Sequence, residues 1–343
     1  MIKNILKKLT VRENLTYEEA YSLIVAIKND ELSDVQIAGF QVALLMKGPT
    51  LTEITAIAQA MRDNCIKISP KVDDELMDTC GTGGGLSTFN ISTAVAFVAA
   101  AAGIPVAKHG SRSISSLSGS ADVLEALGIE IHQSPETVEK LIEEVGIAFL
   151  YAPLFHPVMG KVLPPEKDLG IKTIFYTIIG PLINPSKASQ HVMGVYKPEL
   201  LDTVSKVAAS IGYKRALFVH GLDGLDEISL MGKTKINELN NGNINCYEIA
   251  PEDFGMSRCT LEEIATGTPQ ENACMIRDVF SGKDKGPRRQ AVVLNAAGAL
   301  MISNKAASFK EGIQLADEII DSGAAQSKLN QLIEASKDYR SVV

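Results

Sequence analysis

The sequence contains no tryptophan, and aromatic residues make up only 5% of its 343 residues. Proteins that bind single-stranded nucleic acids interleave aromatic and basic side chains, and no such pattern is present here. Positive charge is also scarce, because 33 Lys and Arg stand against 41 Asp and Glu, for a net charge of −8. Nucleic-acid binding draws most of its affinity from clustered Lys and Arg. The composition therefore argues against a nucleic-acid partner and leaves room only for a local basic pocket.

Cysteines are few, odd in number and widely spaced, with none of the Cys or His spacings of zinc sites: Cys65, Cys80, Cys246, Cys259 and Cys274. This pattern argues against a disulfide scaffold or a zinc centre. Cys80 ends a predicted strand, where packing is a commoner role for cysteine than catalysis.

Long hydrophobic runs are also missing, since no apolar run approaches the roughly 18 residues of a membrane span. The chain is 45% apolar and 22% charged, as in ordinary globular proteins. Its first residues are amphipathic and lack the long apolar region of a secretion signal. We therefore expect a soluble, cytoplasmic protein without a membrane partner, divided into about two domains.

The most informative stretch runs from Asp78 to Thr93 and predicts a strand, a glycine loop and a helix start. Four glycines in positions 81–85 allow positive φ angles and expose backbone N–H groups. Asn90, Ser92 and Thr93 add polar donors at the positive end of the helix. The pattern indicates a phosphate site, although an ordinary capped turn would look similar. The spacing of these glycines differs from the GxGxxG of dinucleotide-binding folds and from the GxxxxGK[ST] of nucleoside triphosphatases, so neither class explains the loop well.

The order of predicted elements indicates two kinds of architecture. Three capping boxes open the chain, at Thr16/Glu19, Ser33/Gln36 and Thr50/Glu53. From Leu76 onward strands and helices alternate, which is typical of a mostly parallel sheet covered by helices. We predict a helical domain over 1–70, completed by part of 157–200, and an α/β domain over 71–343.

Further polar segments follow predicted strands or precede predicted helices: 108–112 (KHGSR), 115–122 (SSLSGSAD), 155–157 (FHP), 180–185 (GPLINP) and 220–227 (HGLDGLDE). Adjacent carboxylates such as Asp226 and Glu227 suit magnesium that is held together with substrate phosphates. Each segment alone could be structural. Together they predict two anion sites and a magnesium site, as a sugar bearing a phosphate and a pyrophosphate requires.

The motifs GTGG, NIST, KHG, SGSADVLEALG, HP, GPL-NP and GLDGLDE occur in this order. In them the sequence resembles the anthranilate phosphoribosyltransferases of tryptophan biosynthesis, over nearly its full length. The resemblance implies an α/β protein with a small N-terminal helical domain and a large α/β domain with a mostly parallel central sheet, nucleoside-phosphorylase-like. It also implies a homodimer and an active site at the hinge between the domains.

The resemblance further implies magnesium-dependent transfer of phosphoribose from phosphoribosyl pyrophosphate to anthranilate, with these donor-binding residues: Gly81, Thr82, Gly83, Gly84, Gly85, Thr88, Asn90, Ser92, Thr93, Lys108, Ser116 and Ser120. It assigns Mg²⁺ to Ser92, Asp226 and Glu227. It assigns the acceptor to Gly81, His109, Ser111, Glu166 and Pro181. His109 is the implied catalytic residue, which would orient the acceptor or accept a proton.

Several positions depart from the family pattern. Gly85 stands where an Asp is usual, Ser111 where an Asn is usual, and Glu166 where an Arg contacts the anthranilate carboxylate. The stretch 176–179 is one residue longer than usual. A Glu repels a carboxylate that an Arg would hold in bidentate fashion. Alternatives therefore stay open: another aromatic acceptor, nucleoside phosphorolysis, or a non-catalytic relative that binds nucleic acid or a regulator.

Overall fold

A computed structural model describes residues 1–113 and 117–339, and it opens with a bundle of helices: α1 (Ile2–Thr10), α2 (Tyr17–Lys28), α3 (Asp34–Lys47) and α4 (Leu51–Asp63). The three predicted capping boxes are confirmed. In each, the N-cap hydroxyl accepts a hydrogen bond from the N3 backbone, and the N3 side chain accepts one from the N-cap backbone. Local sequence thus determines where α2, α3 and α4 begin.

A seven-stranded sheet in the order β3-β2-β1-β4-β5-β6-β7 forms the centre of the described chain. Its strands are β1 (Met77–Asp78), β2 (Val106–Gly110), β3 (Ile147–Tyr151), β4 (Gln190–Gly194), β5 (Arg215–Gly221), β6 (Thr234–Asn240) and β7 (Asn243–Ile249). The first five are parallel, and β6 and β7 form an antiparallel edge hairpin. The mostly parallel sheet is therefore confirmed. Strand order reverses at β1, with β2 and β3 on one side and β4 on the other, and ligands of open α/β sheets bind at such switch points.

Helices connect and cover the strands: α5 (Ile91–Ala101), α6 (Ser120–Leu127), α7 (Pro135–Val145), α8 (Ala152–Phe155), α9 (Met159–Leu169), α10 (Gly180–Leu182), α11 (Leu201–Ser210), α12 (Leu261–Ile264), α13 (Pro269–Phe280), α14 (Pro287–Ile302), α15 (Phe309–Asp321) and α16 (Ala324–Asp338). A π-helical turn covers Phe175–Ile179. Within residues 1–113 and 117–339, no helix has both the length and the apolar character of a membrane span.

Alternating residues of β5 show how the sheet joins two hydrophobic cores. Ala216 and Phe218 face the core that contains the opening bundle, whereas Leu217 and Val219 face the core that contains α5 and α14. This alternation follows from the two-residue period of a strand. Helices therefore pack on both faces, which confirms the α/β class with a small helical unit and a large α/β unit.

The segment after residue 157 shares the core of the opening bundle. Val162 of α9 is fully buried in it, and α9 packs on α3, where Gln41 Nε2 donates to the Val162 carbonyl at 2.8 Å. Tertiary packing thus joins chain segments more than 100 residues apart. The boundary at residue 70 stays a prediction, because shared packing does not fix where one domain ends.

Candidate active site

The glycine loop leaves β1 at the switch point and is held against the end of β4. Gly83 and Gly84 have φ angles of +62° and +92°, in the left-handed region that glycine adopts without strain. The Thr82 N–H donates to the Gly194 carbonyl at 2.9 Å, and the Thr82 hydroxyl accepts from the Tyr196 N–H at 3.0 Å. Thr82 therefore anchors the loop, and Gly83 and Gly84 lie exposed to solvent.

Asp226 and Glu227 meet the glycine loop and the start of α5, as the predicted site requires. The Gly83 N–H faces the Asp226 carboxylate and opposes the rise in its pKa, and the Ser92 N–H does the same for the Glu227 carboxylate. These contacts join segments about 140 residues apart in the chain. Predicted donor and metal residues thus share one place at the carboxyl edge of the sheet.

The negative charge of Asp226 and Glu227 is only partly compensated by nearby positive charge. Burial raises the pKa of Asp226, and burial together with the Asp226 charge raises the pKa of Glu227 to about 8. Burial lowers the pKa of Lys108, whose Nζ donates to the Thr79 carbonyl at 3.3 Å and the Thr79 hydroxyl at 3.1 Å. Two crowded carboxylates with one nearby lysine are a donor set that fits a divalent cation.

In the described residues, no group of three or more His, Cys, Asp and Glu is placed to hold a metal ion. A closed protein cage for a cation is therefore not formed by these side chains. Mg²⁺ commonly binds through one or two carboxylates, with water and substrate phosphates completing its shell. The pair Asp226 and Glu227 fits that open type of site.

Gly85 and Gly194 are glycines because Asp226 occupies the space beside them. A Cβ on Gly85 would lie 2.5 Å from Asp226 Oδ1 and 2.9 Å from the Gly224 carbonyl. A Cβ on Gly194 would lie 1.5 Å from the Asp226 carbonyl oxygen. In this chain a side chain at position 85 would therefore press on the Asp226 carboxylate unless the loop shifted.

Ser111 and Ser120 lie together at the second predicted anion segment. Ser120 begins α6, and its hydroxyl donates to the Ser111 carbonyl at 3.3 Å. Asp122 accepts from the N–H groups of Ser113 at 3.0 Å and Gly119 at 2.9 Å, which holds the two ends of this segment together. The predicted donor residue Ser116 lies outside the described residues.

Thr88, Asn90 and Thr93 surround the start of α5 in different ways. Thr88 forms an isolated bridge with Ala265, and Asn90 is the N-cap residue without a side-chain capping bond. Instead, the Asn90 carboxamide bonds to Ser118. Thr93 is fully buried, and its hydroxyl has no hydrogen-bond partner in the described chain.

A pair of buried histidines marks the predicted acceptor side. His109 at the end of β2 and His156 approach with their Nε2 atoms 3.0 Å apart. Burial lowers the pKa of His109 to about 4, and burial also places the pKa of His156 well below its usual value. Both rings are therefore neutral near pH 7, and one Nε2–H donates to the other ring. Pro181 is buried in α10 directly after the π-helical turn.

Glu166 lies within the helical unit. It is buried, and its Oε1 accepts from Gln41 Nε2 at 3.2 Å and from the Thr173 hydroxyl. Burial raises the pKa of this carboxyl, and its Oε2 has no partner among the described residues. No hydrogen bond or ion pair in the described chain joins Glu166 to His109, Ser111 or Pro181. Its role toward an acceptor stays a prediction.

Asp78 and Asn184 are structural partners of the site that the sequence reasoning did not assign. The buried Asp78 accepts from the His109 N–H at 3.1 Å and from Asn184 Nδ2 at 2.7 Å. Asn184 also donates to the Ala107 carbonyl at 2.7 Å. The sequence signal that could have identified Asp78 is a carboxylate within a predicted buried strand, because a buried carboxylate needs several hydrogen-bond donors around it.

The histidine pair gives a pH-dependent prediction. On acidification the unfolded chain binds protons near the usual histidine pKa of about 6.5, whereas the folded protein does not, so stability falls. Replacing His156 with Gln is expected to make the loss in unfolding free energy between pH 7 and pH 5 about 2 kcal/mol smaller. Chemical unfolding at both pH values checks this, with the half-exposed His132→Gln as control. Equal losses in His156→Gln and the original protein would contradict the buried neutral pair.

Comparison with protein families agrees with this architecture. Residues 73–326 match the α/β domain of a glycosyl transferase family, and residues 3–65 match the helical bundle domain of that family. The chain is 48% identical over 338 residues to anthranilate phosphoribosyltransferase from Desulfosudis oleivorans, covering 98% of this chain and 99% of that protein. It is also 48% identical to the Methanobrevibacter smithii protein of that name, covering 97% and 99%.

Solved structures give the same result. The crystal structure of anthranilate phosphoribosyltransferase from Thermus thermophilus superposes with a TM-score of 0.91 at 40% identity, covering 97% of this chain and 99% of that one. The Saccharomyces cerevisiae enzyme in complex with PRPP and Mg superposes with a TM-score of 0.89 at 30% identity, covering 98% of each chain. The chain therefore belongs to the anthranilate phosphoribosyltransferase family of glycosyl transferases.

Proposed function

We propose that this chain transfers the 5-phosphoribosyl group of phosphoribosyl pyrophosphate to the amine of anthranilate and releases pyrophosphate. The observation that carries the proposal is the packing of Asp226 against Gly85 of the glycine loop and Gly194 of β4, at the switch point of the sheet. The relative from Saccharomyces cerevisiae, with 30% identity, has been solved with PRPP and Mg, and at 29% identity with 4-fluoroanthranilate. These names support the same donor and acceptor for this chain.

The donor would lie with its pyrophosphate against the exposed glycine loop. Gly83 and Gly84 have left-handed φ angles and no side chains to obstruct a ligand at this edge, and the start of α5 adds its positive dipole end. Asp226, Glu227 and the Ser92 region would hold Mg²⁺, which offsets the negative charge that grows on departing pyrophosphate. Lys108 bonds to Thr79, just before the loop, and its charge interacts with that of Glu227.

The acceptor would lie near the histidine pair. An aromatic amine is already neutral at pH 7, so its attack on C1 of the ribose does not require a strong base. His109, with a pKa of about 4, is a poor proton acceptor at that pH. We therefore assign His109 the task of orienting the acceptor through a ring nitrogen, with Asp78 fixing its backbone.

A turnover assay tests the proposal. Purified protein with phosphoribosyl pyrophosphate, Mg²⁺ and anthranilate is expected to consume the fluorescent anthranilate and release pyrophosphate, and excess EDTA should stop both. A panel of other aromatic amines measured in parallel identifies the preferred acceptor. If the donor were consumed with another amine but not with anthranilate, that amine would be the acceptor and the anthranilate assignment would be wrong. If no amine led to consumption of the donor, the transferase assignment would be contradicted.

Replacing Glu166 with Arg tests the acceptor side. If the side chain at 166 faces the acceptor, a guanidinium replaces charge repulsion with a bidentate pair, and KM for anthranilate is expected to fall about tenfold. Glu166→Gln is the matched control, since it removes repulsion without adding a cation, and an intermediate KM is expected. An unchanged KM in both variants would place residue 166 outside the acceptor site.

We also propose a homodimer formed through α3. One face of the helical unit exposes the apolar side chains of Val35, Val42 and Met46 on α3, together with Val11 and Leu169. Within this face lies a groove of about 520 Å³. Small residues of α3 line the groove: Ala38, Gly39 and Ala43. Projections beside a groove on one surface suit isologous packing of two copies.

Substitution of Met46 by Glu tests this interface. A carboxylate at the centre of the face should separate a dimer, and light scattering after size exclusion is expected to show a dimer for the original protein and a monomer for the variant. Ile66→Glu, at an exposed apolar residue outside this face, should stay dimeric. A monomeric original protein at tens of micromolar would contradict the dimer.

A further inference from the structure

The segment between α12 and α13 packs along the stretch that leads from the glycine loop into α5. The Phe89 N–H donates to the Ile264 carbonyl at 3.0 Å, and the Thr266 N–H donates to the Ser87 carbonyl at 3.2 Å. Thr88 and Ala265 form a bridge between these two contacts. A part of the chain far from the sequence motifs therefore borders the donor site.

Asn272, in the first turn of α13, has a side chain that bonds both to the segment before α13 and to Asn90 at the start of α5. It is fully buried. Its Oδ1 accepts from the Gly267 N–H at 2.8 Å, and its Nδ2 donates to the Thr266 hydroxyl at 3.0 Å and to Asn90 Oδ1 at 2.8 Å. Since an N–H faces its oxygen, the orientation of the carboxamide is fixed. Because both the oxygen and the nitrogen of its carboxamide are hydrogen-bonded in a buried position, the Asn272 side chain has a single orientation.

The bond to Asn90 fixes the orientation of that side chain too. Asn90 Oδ1 accepts from Asn272 and from the Ser118 hydroxyl at 3.2 Å, which uses both lone pairs of the oxygen. One hydrogen of Asn90 Nδ2 goes to the Ser118 carbonyl at 3.3 Å. In the described chain, the other hydrogen is left to donate to an anion at the N-terminus of α5.

We propose that Asn272 is a positioning residue for the phosphoribosyl donor, acting through Asn90. By occupying Asn90 Oδ1, it leaves the remaining Asn90 amide hydrogen, and not the oxygen, available to the donor, and it holds Asn90 in the orientation that bonds to Ser118. This inference rests on the proposed function. An oxygen turned toward a phosphate would repel it, so loss of Asn272 should weaken donor binding more than it slows the chemical step.

Kinetics of Asn272→Ala test the proposal. KM for phosphoribosyl pyrophosphate and its Kd by calorimetry are expected to rise about tenfold, the effect of one lost hydrogen bond to a charged ligand. The kcat and the KM for anthranilate should change less than threefold. The double variant Asn90→Ala/Asn272→Ala should bind the donor no more weakly than Asn90→Ala alone, because both substitutions remove the same oriented group.

Asn237→Ala is the matched control for a purely structural role. Asn237 is equally buried and donates to Asp202 and Ser205 on the far side of the sheet, so its loss should lower the unfolding temperature and leave the donor KM unchanged. Asn272→Ala with an unchanged donor KM would overturn the proposal. If that variant does not fold, the isosteric Asn272→Asp decides by the same criterion. Failure of the original protein to bind the donor would instead refute the proposed function.

Discussion

Replacing Asp226 with Asn and Glu227 with Gln is expected to lower kcat/KM by about 10³-fold or more. The two carboxylates are the pair that we propose holds Mg²⁺, and loss of the ion removes charge neutralisation on departing pyrophosphate. Initial rates measured over a range of Mg²⁺ concentrations check this. The unfolding temperature should stay constant or rise, because both carboxyl groups have pKa values raised by burial.

The double variant Glu143→Gln/Glu144→Gln is the matched control. These adjacent glutamates on α7 bond to the Lys71 N–H and the Tyr339 hydroxyl, so their replacement removes the same charge away from the site. Their variant should keep its rate and its Mg²⁺ dependence. Near-normal turnover in the Asp226/Glu227 variant would refute the metal assignment.

Replacing Gly194 with Ala should lower kcat/KM by about 10²-fold, the cost of misplacing a catalytic group by roughly 1 Å. The new Cβ would lie 1.5 Å from the Asp226 carbonyl oxygen, which belongs to the backbone and cannot move aside as a side chain does. The loop of Asp226 and Glu227 must therefore shift. Initial rates and the Mg²⁺ concentration for half-maximal activity, which should rise, measure the effect.

Gly160→Ala controls for the substitution itself. Gly160 lies in α9, and a Cβ there would meet nothing within 4 Å, so the change should be tolerated in both rate and unfolding temperature. If Gly194→Ala retained full activity, the tight packing of β4 against the Asp226 loop would not matter to function.

Local signals in the sequence predicted where the three capped helices of the opening bundle begin, but they misplaced the end of one strand. The spacing of Thr16 and Glu19 was sufficient to place the start of α2. The segment 108–112 was expected to follow a strand, but β2 runs from Val106 to Gly110 in register with β3 and includes the first three residues of that segment. Lys108 and His109 therefore lie within the sheet and not beyond its end. Pairing with a distant strand sets such bounds, and no local pattern records it.

The parts of the site that follow from the topology of a parallel sheet could be predicted from the sequence. The parts that depend on how helices pack could not. The carboxyl edge of a parallel sheet collects loop residues, so the meeting of Gly83 with Asp226 could be expected. The contacts of Asn272 with Asn90 and of Glu166 with Gln41 depend on how helices pack, which their separation in the chain conceals. Gly85 likewise has a reason only once Asp226 is seen beside it.

Isothermal titration of the purified protein with phosphoribosyl pyrophosphate tests the central claim most directly. In excess Mg²⁺ we expect saturable uptake at one site per chain, and the heat should vanish with EDTA or in the Asp226→Asn/Glu227→Gln variant. Absence of saturable heat with the original protein in excess Mg²⁺ would contradict a donor site at the junction of the glycine loop, α5 and the two carboxylates.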